Sequence, residues 1–209
     1  NMVYVDKTDI IFRMIENNNK CLISRPRRFG KSLLVSTMES LFSRGTEMFK
    51  GLAIEKLWTE STYMVLRFDF SVMQCDSLEN FQKAAVRKFL RVALKCGALD
   101  NTYSPENFTG IADLMDEITM NIDIDSTVLL IDEYDSPLNA NFGNQEVFSR
   151  IRKAIYDFYA SVKENSDRFR FIFVTGVSRF HKVALFSAGS SIKDLSLSPI
   201  YGSLLGYTE

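Results

Sequence analysis

Apolar and polar positions along the chain switch repeatedly between two periods. In "DIIFRMIENN" the apolar residues recur at three- and four-residue steps, the spacing of one helix face, and Asp6 or Thr8 could cap its start. "KCLISR" is a short unbroken apolar run, the pattern of a buried strand. "KSLLVSTMESLF" returns to helical spacing, with Gly45 just beyond its end. The exchange then repeats. "YMVLRFDFS" reads as a strand, "LENFQKAAVRKFLRVALKCG" as a long helix closed by Gly97, and "NFTGIADLMDEITMN" as another helix. "STVLLIDEYDSP" is a continuous apolar run that stops on acids, "QEVFSRIRKAIYDFYASVKEN" is helical, and "RFRFIFVTGVSRF" is a third apolar run ending at Thr175 and Gly176. The remainder is irregular and serine-rich, with a short strand expected in "IKDLSLS".

Apolar runs alternating with helices predict an α/β domain: a mostly parallel central sheet with helices on both faces. No repeat, low-complexity tract or linker interrupts it, so residues 1–209 read as one domain. In such sheets ligands bind at the C-terminal ends of the strands. Three chemically distinctive stretches lie at such ends.

The first is "SRPRRFGKS", between a predicted strand and a predicted helix. Gly30-Lys31-Ser32 completes a G-x-x-x-x-G-K-[ST] pattern whose first glycine is replaced by Arg25. A helix N-terminus offers unpaired N–H groups and a positive dipole end to phosphate oxygens. Gly30 would let the backbone approach, Lys31 would reach the β- and γ-phosphates, and the Ser32 hydroxyl would bind Mg²⁺. Alone, the tripeptide is equally compatible with a basic turn that caps an ordinary helix. The second stretch is "VLLIDEYD", where Asp132 would hold the Mg²⁺ shell and Glu133 would activate the attacking water. Its plain alternative is a strand ending in solvated acids. The third is "FIFVTGVSRF", in which Thr175 is placed to sense the γ-phosphate and Arg179 to neutralise its charge, within one subunit or across an interface. Here the alternatives are a simple turn and a surface charge. The three occur in the order that lets each serve the others.

Composition removes competing chemistries. The chain carries 46% apolar and 24% charged residues with a net charge of −1, so nothing pulls the whole molecule toward nucleic acid or membrane. One histidine, His181, argues against a histidine zinc site or a Ser-His-Asp triad. Cys21, Cys75 and Cys96 are too few and scattered for a disulfide framework and suit a reducing cytoplasm. No apolar run approaches the roughly 20 residues that cross a bilayer. Asp135 reads as a turn residue ahead of Pro137, or as a further contributor to the metal shell. The many aromatics fall in periodic apolar segments and read as core. Arg25, Arg27 and Arg28 form a compact basic cluster that could meet phosphate or nucleic acid.

"YVDKT", "SRPRRFGKSLL", "LLIDEYDSP" and "FVTGVSRF" together resemble the AAA-ATPase-like proteins of bacteria and archaea, P-loop proteins often joined to a C-terminal PD-(D/E)XK nuclease-like domain. The resemblance spans roughly residues 3–209, and an arginine at position 25 is expected within that family. It implies an ASCE-type P-loop NTPase fold with ATP and Mg²⁺ as cofactors. It carries over Gly30, Lys31 and Ser32 as phosphate and Mg²⁺ ligands, Asp132 and Glu133 as the Walker B acids and Thr175 as sensor. The whole loop, Arg25, Pro26, Arg27, Arg28, Phe29, Gly30, Lys31, Ser32 and Leu33, is then expected to bind the nucleotide, with Ser32 and Asp132 at the metal. "SPIYGSLLGYTE" looks like a junction into further lid and nuclease-like regions, so the chain reads as the N-terminal part of a longer protein. No nuclease constellation can be picked out in these residues.

Three functions follow as expectations: an ATPase domain acting as motor or switch of a larger regulatory or DNA-associated machine, a nucleotide-binding switch with little turnover, and a nucleic-acid module built on the Arg25–Arg28 cluster. Partners implied are ATP, further copies of the chain, and nucleic acid through the regions that lie beyond residue 209.

Overall fold

Helix and strand alternate in the order the two periods require. A computed structural model describes residues 5–178 and 192–206. In chain order the elements are α1 (Thr8–Asn17), β1 (Lys20–Ser24), α2 (Lys31–Arg44), β2 (Met64–Asp69), α3 (Leu78–Cys96), α4 (Ile111–Asn121), β3 (Thr127–Asp132), α5 (Ser136–Ala140), α6 (Gln145–Glu164), β4 (Phe169–Gly176) and β5 (Lys193–Asp194). Short 3₁₀ turns join some of them. Among the described residues the strands form one sheet in the order β2-β3-β4-β1-β5, and every pairing is parallel.

Strand alternation sorts the core onto the two faces of this sheet. Leu129 and Ile131 of β3, Ile172 and Val174 of β4, and Leu66 and Phe68 of β2 face a cluster completed by α3, α4 and α6. Val128 and Leu130 of β3, Phe171 and Phe173 of β4, and Cys21 and Ile23 of β1 face the opposite cluster, completed by α1, α2 and residues Tyr201, Leu204 and Leu205. Aromatic rings fill both. Phe68 stacks on Phe89 with centroids 4.4 Å apart, and on the other face Phe42 meets Trp58 at 5.2 Å and Phe171 at 5.6 Å. The covered faces explain the unbroken apolar run Val128–Ile131 of β3, all six of whose residues are buried.

Three details differ from the pattern. The N-cap position of α1 is Lys7, not Asp6 or Thr8, and Asp6 lies just before it. One carboxylate oxygen accepts from the Thr8 amide and hydroxyl, and the other accepts from Ala53 N at 2.8 Å, so it ties the helix start to a distant turn. α4 begins at Ile111 rather than Asn107, because Pro105–Asn107 form a 3₁₀ turn with its own Ser104–Asn107 capping box. α5 is too short for periodicity to reveal.

Phe42 is fully buried among three aromatic rings, so Phe42→Ala should cost about 3–5 kcal/mol. Gly97 ends α3 at φ +82° with open space around its Cβ position, so Gly97→Ala should cost only about 1 kcal/mol. Urea unfolding of the two variants measures both.

Candidate functional site

Parallel pairing sets β1, β4, β3 and β2 side by side with their C-terminal ends on one rim. β4 runs between β1 and β3, so Thr175 and Gly176 lie between the "SRPRRFGKS" loop and Asp132. The loop begins where the Arg25 amide donates to Gly176 O at 3.1 Å. Its backbone then passes through two left-handed residues, Arg28 at φ +69° and Gly30 at φ +84°. Only the second is free of side-chain strain. An added Cβ at Gly30 would meet nothing nearer than Leu205 Cδ2 at 3.9 Å, so this glycine is required for its conformation rather than for space. Gly30 O accepts from Leu34 N at 3.0 Å and opens α2.

Lys31 is 5% exposed, and its ammonium donates back across the loop to Pro26 O at 3.1 Å. Pro26, Arg27, Arg28, Phe29, Ser32 and Leu33 are exposed around it. Arg25 behaves differently from its neighbours. Its guanidinium donates to Ser24 O at 3.1 Å and to Ser196 O, while Ser196 Oγ accepts from Ser24 N at 2.8 Å. The arginine in place of glycine therefore fastens the base of the loop to the chain that follows β5. Nothing in "SRPRR" signalled this contact, because its partner lies far along the chain.

Asp132 ends β3 opposite Asp69 of β2. It is 2% exposed, and its Oδ1 is buried without a hydrogen-bond partner. Its Oδ2 lies 3.9 Å from Arg67 Nη2, and the same guanidinium is held by Glu39 at 2.8 Å and by Ser36 Oγ at 3.1 Å, both on α2. Burial pushes the Asp132 carboxyl up, and the charge of Asp69 adds to this, while the neighbouring Ser32 hydroxyl and Arg67 offset part of it. Glu133 follows at φ +49°. Its carboxyl is also raised, first by burial and then by the charges of Asp132 and Asp69, with Lys31 opposing. For Asp69 burial acts in the same upward direction. The Ser71 hydroxyl and amide and the Lys88 ammonium at 3.1 Å outweigh it and leave the carboxyl below its ordinary value. Arg67, Asp69 and Lys88 were not singled out in the sequence. The one available signal was that "RFDFS" ends on an acid as "LLIDE" does.

Thr175 is fully buried, and its hydroxyl donates to Ile23 O at 2.8 Å, so its side chain joins β4 to β1 rather than opening onto the rim. Asp135 does lie in the turn ahead of Pro137, and that turn is buried. Asp135 itself is 1% exposed and accepts from the amides of Val177 and Ser178 beyond β4. Arg179 and His181 lie outside the described residues. The structure thus brings Lys31, Ser32, Asp132 and Glu133 together, with Arg25 and Thr175 beneath them as fasteners. Among the described residues no group of three or more His, Cys, Asp or Glu could by itself hold a metal ion. The unpartnered Asp132 oxygen beside the Ser32 hydroxyl fits Mg²⁺, which prefers few protein oxygens and keeps its water and phosphate ligands.

The family described as "Predicted AAA-ATPase" matches residues 1–186. The chain belongs to that family. An AAA-ATPase-like domain is consistent with the five-stranded parallel sheet and with the loop that opens α2. An Azotobacter chroococcum mcd 1 protein, "Uncharacterized protein in vnfD 5'region", is 32% identical over 210 residues. That match covers 99% of this chain and 40% of the relative's length. No solved structure matches the chain. Among the described residues no helix is long and apolar enough to cross a membrane.

The raised Asp132 carboxyl has a consequence for stability. The folded chain holds that proton more tightly than the unfolded chain does, so the ionised carboxylate opposes folding near neutral pH. The opposition fades as pH falls through the raised value. Asp132→Asn should therefore raise the thermal midpoint, by about 2–4 °C if the relief is on the order of 1 kcal/mol. The gain should shrink in acid, and thermal melts at two pH values check both statements.

Proposed function

We propose that this domain binds ATP and hydrolyses it with Mg²⁺. The observation that carries the reading is the buried, unpartnered Asp132 oxygen set against the N-terminal turn of α2, with Lys31 and Ser32 on that turn and Glu133 next in the chain. A buried acceptor without a partner is costly unless a ligand completes it.

The loop amides and the α2 dipole would receive the phosphates. The Lys31 ammonium would exchange its bond to Pro26 O for phosphate oxygens, gaining a charge-assisted contact in place of a neutral one. Ser32 and Asp132 would hold Mg²⁺, which when bound would neutralise phosphate charge. Glu133 would take the proton of the attacking water. Its raised carboxyl suits that work, since a base nearer the working pH takes up a proton more readily. Thr175 supports this arrangement by fixing β4 against β1, the two strands that flank the loop entrance. A contribution from Arg179 would add positive charge to the γ-phosphate.

A nucleotide-binding switch with little turnover is the second reading. It draws on the self-contained loop, in which Lys31 and Arg25 already have protein partners. Turnover measured beside nucleotide binding separates the two. Lys31→Ala should weaken binding of a fluorescent ATP analogue by about tenfold or more. Glu133→Gln should leave binding near wild type and lower kcat by about 10²- to 10⁴-fold. Equal turnover in wild type and Glu133→Gln would remove the hydrolytic reading, and tight binding with no turnover in wild type would establish the switch.

The pH profile offers a separate check. Glu133 must be ionised to act, so the acid limb of kcat/KM should lie above the ordinary glutamate value of 4.5. Asp69→Asn removes one of the charges that raise Glu133, so it should move the limb to lower pH. An unmoved limb would mean that another group sets it.

A further inference from the structure

Glu133 stands in a conformation that a glutamate does not choose. Its φ of +49° is left-handed, which costs a residue with a Cβ about 1–2 kcal/mol and persists only where the surroundings over-determine it. On one side Asp132 is fixed in the sheet, its carbonyl accepting from Phe70 N at 3.0 Å. On the other side Tyr134 and Asp135 are both buried.

Those two residues grip the end of β4. The Tyr134 amide donates to Thr175 O at 3.2 Å, and its hydroxyl donates to Ser178 O at 3.0 Å. Each Asp135 oxygen accepts from Val177 N at 3.1 Å, and Oδ2 also accepts from Ser178 N at 2.6 Å and from Asn139 Nδ2 at 2.9 Å. Among the described residues no lysine or arginine forms an ion pair with Asp135, so backbone and amide dipoles compensate the buried charge. The fit leaves no room for a side chain on β4. A Cβ at Gly176 would lie 2.5 Å from Asp135 Oδ1 and 2.7 Å from the Tyr134 ring.

We propose that Asp135 is a positioning residue for Glu133, a carboxylate latch from the Glu133 turn to the amides of Val177 and Ser178 that holds the base in its left-handed, catalytically aimed conformation. The inference rests on the hydrolytic reading. It also joins the turn that carries the base to the two residues immediately before Arg179, so the strand end and the base are set by one contact. Loss of the latch would free the Glu133 backbone to relax to an ordinary φ and turn its carboxylate away from the water.

Asp135→Asn keeps the shape and replaces one acceptor oxygen with an NH₂ group that confronts amide donors. Its kcat should fall about tenfold or more while the affinity for a fluorescent ATP analogue stays within about twofold. Asn139→Ala, which keeps the carboxylate and removes one of its donors, should fold readily and show a smaller fall of the same kind. The deciding measurement is the double variant. If Asp135 acts through Glu133, adding Asp135→Asn to Glu133→Gln should lower kcat no further. All turnover is compared well below each variant's melting temperature. Wild-type kcat in Asp135→Asn, parallel losses of affinity and kcat, or a full multiplicative loss in the double variant would each overturn the proposal while the hydrolytic reading stands. A wild type without turnover would overturn that reading, and this inference with it.

Discussion

The parallel pairing of β1, β4 and β3 is the constraint on which the remaining arrangement depends. Register places Ser24 opposite Gly176 and Ile131 opposite Val174, so three loops with different chemistry leave the sheet at the same rim. Parallel strands must be covered on both faces, because their connections cross over as helices. The two core clusters supply that cover, with helices distributed to each side. The same geometry gives α2 its orientation. Its N-terminus meets the end of the sheet where the acids gather, which sets a positive dipole end against negative charge.

Charge at this rim is balanced by a small set of groups with divided duties. Asp69 is satisfied by Ser71 and Lys88. Asp132 retains a buried oxygen without a partner, with Arg67 at the distance of a weak ion pair. Arg67 in turn is anchored by Glu39 and Ser36 of α2, so the helix that begins with Lys31 and the strand that ends with Asp132 share one cation. Acids concentrated in this way oppose one another and cost stability, which the proposed cation and polyphosphate would relieve. Burial and this crowding of charge raise the carboxyls of Asp132 and Glu133.

Backbone conformation adds a second kind of stored cost. Arg28 and Glu133 carry it, both in left-handed geometry on the same rim, where Gly30 adopts such a φ without strain. For the loop, the fastening is the Arg25 guanidinium on Ser24 O and Ser196 O. For the acidic turn, it is Asp135 on the amides beyond Gly176. Arg25 and Asp135 thus do similar work at neighbouring strand ends: a charged side chain satisfied by backbone groups holds a functional loop in place.

Much of this was legible in order along the chain. Unbroken apolar runs such as "VLLI" mark strands buried on both faces, and three- and four-residue periodicity marks the helices, because burial and periodicity are local consequences of side-chain alternation. "GKS" after a strand and "DE" at the end of another marked Lys31, Ser32, Asp132 and Glu133 by residue type alone. Other features depended on distant partners. Arg25 belongs by residue type to a basic cluster that could meet phosphate or nucleic acid, yet its guanidinium is taken up by Ser24 O and Ser196 O, and the turn at Asp135 is buried with its carboxylate on the amides of Val177 and Ser178. Thr175 ends the expected strand, yet its hydroxyl is committed to Ile23 O inside the sheet. The chain by itself determined which segments would be strand or helix and which residue types could meet phosphate, because those follow from local pattern and chemistry. Tertiary structure alone decided which charged groups remain available and which are spent on holding the loops, because that depends on acceptors and donors far away in the sequence.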